Sequence, residues 1–126
     1  MSEVIVPTEP IKYAAASMPL PSMPYAADQI VSGSPDATSV TIWAPSSQTI
    51  TRSGIWDCTP GAANYQQEPT EISIFSFFSG KAWIRFPNKE KDDIECVAGD
   101  VIYLPQGILT VFDVVETIRT FYVVHA

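Results

Sequence analysis

The sequence is poor in histidine, cysteine and positive charge. Its 126 residues include one histidine, His125, and two cysteines, Cys58 and Cys96. One histidine cannot build a three-histidine zinc site, or a two-histidine, one-carboxylate iron site, within one chain. Two cysteines are too few for a disulfide framework or a four-cysteine metal site. Seven Lys and Arg side chains stand against fourteen Asp and Glu, a net charge of −7. No basic patch suited to nucleic acid or an acidic membrane surface is visible, so neither is expected as a partner. No apolar run reaches the ~18 residues that span a bilayer. The first residues carry Glu3 and lack a basic-then-apolar leader pattern. A cytoplasmic protein with reduced thiols is therefore expected.

What is present is proline and short β pattern. Hydrophobic residues make up 46% of a chain of one-domain length, which reads as globular. Seven of the eleven prolines lie at or before Pro45. Each lacks an N–H and fixes φ, which disfavours long helices and central strands there. Residues 1–27 read as a proline-rich N-terminal arm and residues 28–126 as the folded domain. Ser17–Pro24 is extended and apolar, so the arm lies against something: its own domain, or a second copy across a dimer interface. A short helix is expected near Ile11 to Ala16.

From Val40 onward, short β-branched and aromatic runs alternate with glycine or proline turns. Ser39–Trp43, Thr49–Cys58, Ile72–Phe78, Ala82–Phe86, Ile94–Val97, Val101–Leu104, Leu109–Val115 and Thr117–Val124 are the expected strands. Thr59-Pro60-Gly61, Ser79-Gly80, Ala98-Gly99-Asp100 and Pro105-Gln106-Gly107 are the expected turns. The charged run Lys89 to Asp93 reads as a solvated hairpin tip. The spacing predicts an all-β sandwich or barrel.

Two segments are more specific. Gly99-Asp-Val-Ile-Tyr-Leu-Pro105-Gln-Gly107 resembles the second sequence motif of the cupin superfamily. Pro69 to Lys81, ending in Phe78-Ser79-Gly80, resembles the strand and turn of the first. Ser53-Gly54-Ile55-Trp56-Asp57-Cys58-Thr59-Pro60-Gly61, Val115 to Arg119 with Phe121 to Val123, and Ser32 to Pro35 look like a compact bacterial subfamily, Cupin_3 (DUF861). That group is similar to the ureidoglycine aminohydrolase and ethanolamine-utilisation cupins. The resemblance covers about residues 28 to 124. It implies a single-domain jelly-roll β-barrel, often a homodimer.

Metal-binding cupins place histidines and a glutamate where this chain has Gln67, Pro69, Ser73 and Thr110. The resemblance thus implies a barrel without its metal ligands, and no metal or other cofactor is expected. Glu71 shares a strand face with Ser73 by alternation. It is the candidate acid–base residue, or a strand-end glutamate facing water or paired with Arg85 or Arg119. With Ser73 inward, Phe75 and Phe77 are inward. With Thr110 inward, Phe112 and Val114 are inward. Trp56, Ser73, Arg85, Tyr103, Thr110 and Phe112 are the candidate ligand-binding residues. Arg85 is either a clamp for a carboxylate or an ion pair. Arg119 is expected to pair with Glu116 or Asp113, Cys58 to be a small buried residue, and His125 to be solvated.

Three readings follow. In the first, the barrel binds a small metabolite, with carboxylate and ureido compounds among the candidates. In the second, it is a metal-independent isomerase, lyase or ureido-compound hydrolase using Glu71. In the third, it is a structural dimer-forming module whose barrel is filled by Phe75, Phe77 and Phe112.

Overall fold

A computed structural model describes residues 3–88 and 91–126. The hairpin-tip expectation for residues 89–93 falls partly outside them. The chain forms eight strands: β1 (Ile30–Ser32), β2 (Ala37–Trp43), β3 (Arg52–Cys58), β4 (Gly61–Gln66), β5 (Ile72–Arg85), β6 (Ile94–Val97), β7 (Val101–Leu104) and β8 (Leu109–His125). The helical structure among the described residues is one 3-10 turn, Ala27–Gln29. Ile11–Ala16 is not a helix: the alanines form only a turn, with Met18 N–H donating to Ala14 O. Six residues hemmed by Pro10 and Pro19 cannot repay the cost of helix nucleation. No helix among the described residues is long and apolar enough to cross a membrane.

The strands make one curled, entirely antiparallel sheet. β8 pairs with β3 along its C-terminal half and with β4 along its N-terminal half. β5 pairs with β8 over nearly its whole length. On its other edge β5 takes β7 at Ser73–Ser76 and β6 at Lys81–Ile84. β2 flanks β3, and β1 flanks β4. The two long strands therefore run through both layers of the barrel.

β5 corrects the expected turn at Ser79-Gly80. The strand does not end there. It bulges, and its register on β8 shifts between Phe77 and Ala82. Gly80 sits at φ +84, where a side chain is strained. Across the irregular stretch β5 advances from Phe77 to Ala82, an odd number of steps, while β8 goes back from Thr120 to Val114, an even number, so only β5 reverses its inward parity. Ser73, Phe75 and Phe77 are buried before the bulge, Ala82 and Ile84 after it. Trp83 and Arg85 are thereby turned to the outer side. β8 keeps one parity throughout, with Thr110, Phe112, Val114, Ile118, Thr120, Tyr122 and Val124 buried. The residues grouped with Ser73 and with Thr110 on one face of each strand are thus buried together.

The N-terminal segment lies along the outer edge of β2. Ile5 bridges Ala44, and Ser22 bridges Thr38. Arg119 pairs not with Glu116 or Asp113 but with Asp57, the residue directly opposite it on β3. The other strand edge of that layer, β7, carries exposed Val101 and Tyr103.

Both cysteines are free and buried. Burial, then the nearby Asp100 and Glu95 charges, push the Cys96 thiol from 9.0 to about 11. The unfolded thiol ionises first as pH rises, so the unfolded state loses protons that the fold retains. Stability is full below pH 9 and falls between pH 9 and 11. Replacing Cys96 by alanine should flatten the decline of the urea midpoint across that window. An identical decline in the variant would exclude the thiol as its source.

Candidate functional site

The barrel holds a cavity of about 360 Å³ that is partly open to solvent. Its walls are set by alternation. Ala63 and Tyr65 come from β4, Trp56 from β3, Phe75 from β5, and Phe112, Tyr122 and Val124 from β8. Phe75 and Phe112 meet edge-to-face at 5.2 Å, and Trp56 stands at 89° to Phe112 at 5.6 Å. Tyr65 packs edge-on to both phenylalanines. Such pairs hold rings rigidly and contribute about 1 kcal/mol each beyond buried area. Phe75 and Phe112 thus face a hollow, and with Phe77 they also belong to one buried cluster.

The polar groups around the cavity are few and mostly neutral: Gln29, Ser39, Asn64 and the Tyr25 and Tyr65 phenols. Among the described residues lining it, none is acidic, and one, Arg52, is cationic. Arg52 Nε donates to Ile50 O at 3.2 Å, which fixes the base of the guanidinium. In a chain of net charge −7, this sorting makes the cavity a local exception.

Behind the Tyr65 ring lies a buried polar knot. Tyr65 Oη donates to Glu71 Oε2 and lies 3.1 Å from Ser73 Oγ. Glu71 Oε1 accepts the Glu68 N–H at 3.0 Å. Glu71 is 1% exposed and is not among the lining residues. It therefore faces neither water nor an arginine. Burial, then the bond to Glu71, push the Tyr65 phenol up; the Ser73 bond and the Arg52 charge act against this. The phenol stays protonated and is spent on the knot.

The other positions where metal ligands would fall are engaged as well. Gln67 Nε2 donates to the backbone carbonyls of Glu71, Leu104 and Pro105. Thr110 Oγ1 donates to Tyr65 O at 3.1 Å, and Pro69 is exposed and has no side-chain donor atom. Gln67 Oε1 is the buried side-chain polar atom left without a partner among the described residues. A neutral amide oxygen alone does not make a divalent-metal centre. Nor do the described residues hold any group of three His, Cys, Asp or Glu side chains suited to a metal. This donor set does not fit a cupin metal.

Trp56 and Phe112 line the cavity, while Ser73, Thr110 and Glu71 sit behind its wall. Two candidates lie elsewhere. Tyr103 is on β7, 58% exposed and on the outside. Arg85 is placed outward by the bulge and lines a separate surface hollow. It pairs with Asp93 and, at 2.8 Å, with Asp113, and stacks near Trp83. The ion-pair alternative describes it. Sequence reasoning missed Asn64 and Tyr65, because Gly61–Gln66 reads as a turn followed by poor strand formers, and it did not single out Arg52 on the expected strand Thr49–Cys58. A signal existed: stepping back by twos from Gln67 puts Tyr65 and Ala63 on one face. It also missed Met23, Pro24 and Tyr25, which close one side of the cavity.

Residues 46–122, more than half of the chain, match the family model of the EutQ-like cupin domain. No curated protein sequence matches. Among solved structures, a protein of unknown function of the DUF861 family from Pseudomonas syringae pv. tomato superposes with a TM-score of 0.70 at 19% identity, covering 87% of this chain and 46% of that one. The Clostridium difficile EutQ protein superposes at 0.59 with 15% identity, covering 73% and 64%. A putative ethanolamine utilization protein Q from Salmonella typhimurium gives 0.59 at 17% identity, covering 82% and 76%. The chain therefore spans about half the length of the first and under two-thirds of the second. At these identities the likeness shows the fold, an all-β jelly-roll barrel. With the motif matches in order and the model covering β3 through most of β8, the chain belongs to the EutQ-like cupin family.

Proposed function

We propose that the protein is a small-molecule-binding cupin whose barrel takes a compact aromatic or apolar carboxylate. The observation that carries this is the cavity itself. Its volume of about 360 Å³ falls in the range of ligand pockets, its walls are aromatic, and its lining holds one cation and no acid among the described residues. The rings supply a low-dielectric slot for a flat ligand body. The Arg52 charge on the wall favours an anion over a cation there. Asn64 and Ser39 add neutral hydrogen bonds. Binding is favoured over acid–base catalysis because the Glu71 carboxylate is closed off behind Tyr65.

Trp56 is a built-in reporter. In a Trp43→Phe, Trp83→Phe background it is the remaining indole, and 4-nitrobenzoate should quench its emission saturably. Arg52→Gln should weaken that binding about tenfold, corresponding to about 1.4 kcal/mol. The neutral analogue 4-nitrobenzamide should bind both proteins alike. Quenching that rises linearly without saturating would overturn the reading. Equal affinity of the two proteins for the carboxylate would remove Arg52 from it.

A further inference from the structure

Met23, Pro24 and Tyr25 line one side of the cavity, yet the segment that carries them, residues 14–25, is tied to the barrel at few points among the described residues. The turn at Ala14–Met18 is held by one side chain. Arg119 Nη1 donates to Ala15 O at 3.1 Å and to Met18 O at 2.6 Å. Its other nitrogens are committed to Asp57, Nε to Oδ1 at 2.7 Å and Nη2 to Oδ2 at 2.9 Å. Further along, Ser39 N–H donates to Pro21 O and Met23 N–H to Ala37 O. Tyr25 Oη then shares a hydrogen bond with Cys58 Sγ at 3.4 Å. Pro19, Pro21 and Pro24 have no N–H to add. Met23, which lines the cavity, is 49% exposed.

A segment with so few bonds opens at a lower free energy than the strands beneath it. We propose that residues 14–25 are a strap that lifts to admit ligand to the cavity, and that Arg119 is its latch. This rests on reading the cavity as the binding site. Asp57 fixes the guanidinium from β3, so the latch is preset by the barrel and needs nothing from the strap but two carbonyls. A lysine keeps the charge but not the fork, and cannot hold Asp57 and both carbonyls together.

The two buried cysteines test this without any ligand. Cys58, 1% exposed, lies beneath Tyr25, and Cys96, 2% exposed, lies on β6 outside the strap and the cavity lining. Iodoacetamide labelling of the native protein, read at each cysteine by mass spectrometry, should show Arg119→Lys labelling Cys58 at least tenfold faster. Cys96 should keep its rate. Acceleration of both cysteines together would mean general loosening and would overturn the latch, as would an unchanged Cys58. A second variant joins Ser22→Cys to Thr38→Cys, which directly oppose each other across the β2 edge. Oxidised, it should slow Cys58 labelling and the association of 4-nitrobenzoate at least tenfold, with recovery on reduction. Fast association in the oxidised protein would overturn the strap while leaving the binding site standing. The expected labelling pattern with no 4-nitrobenzoate binding would leave the strap standing and remove the proposed ligand class.

Discussion

Gly80→Ala should lower the stability of the protein by about 2–5 kcal/mol or more. The added Cβ would lie 2.1 Å from the Thr117 carbonyl oxygen and 2.8 Å from that of Glu116, both backbone atoms of β8. Neither can swing aside as a side chain would. The left-handed φ costs a further ~1–2 kcal/mol. Overpacking against a fixed backbone costs about 1–3 kcal/mol or more, against a total stability of about 5–15 kcal/mol. Gly99→Ala separates the two contributions. Gly99 has φ +94, but its added Cβ would meet nothing within 4 Å. It should therefore lose only the conformational part. A soluble Gly80→Ala protein with the urea midpoint of Gly99→Ala would show that β8 yields easily and that the bulge is not what holds β5 to it.

Glu71→Ala should be nearly as severe, for a different reason. The alanine removes the carboxylate to which the Tyr65 hydroxyl donates and that accepts the Glu68 N–H, and leaves the hydroxyl with Ser73 Oγ alone. Losing a hydrogen bond to a charged group costs about 1.5–3 kcal/mol, so a loss of roughly 2–4 kcal/mol in urea unfolding is expected. Glu71→Gln keeps the shape and one acceptor and should lose less. Tyr65→Phe should cost less in the Glu71→Ala background than in the parent protein, because only the Ser73 contact remains to be lost. If the two losses simply add, the knot is not one unit.

How much of this was legible depends on which interaction decides each residue. The alternation of Glu71, Ser73, Phe75 and Phe77, and of Thr110, Phe112 and Val114, was readable, because one buried face imposes period two. The side of Arg85 was not. It hangs on whether Gly80 ends a strand or bulges within one, and that is decided by β8, far along the chain. The same holds for the partner of Arg119, which lies 62 residues away across the β3–β8 register. Tyr65 was hidden because Gly61–Gln66 has weak strand propensity and is held by pairing with β8. The emptied ligand positions could be named in advance. That their space is closed by a tyrosine from the neighbouring strand could not, since nothing in local composition links Tyr65 to Glu71.

The long strands β5 and β8 have a consequence for how the protein comes apart. Each belongs to both layers, so neither layer can detach while the other keeps its pairing. Partial unfolding of one half would strip hydrogen bonds from the two strands the other half needs. The barrel should therefore melt in a single cooperative transition, with fluorescence of Trp56 and the far-ultraviolet signal coinciding. Assembly faces the converse constraint. Arg52 must find Val124, and Ile72 must find His125, before either layer is complete. Contacts this distant in sequence place folding in the slow range, milliseconds to seconds, of β-rich domains.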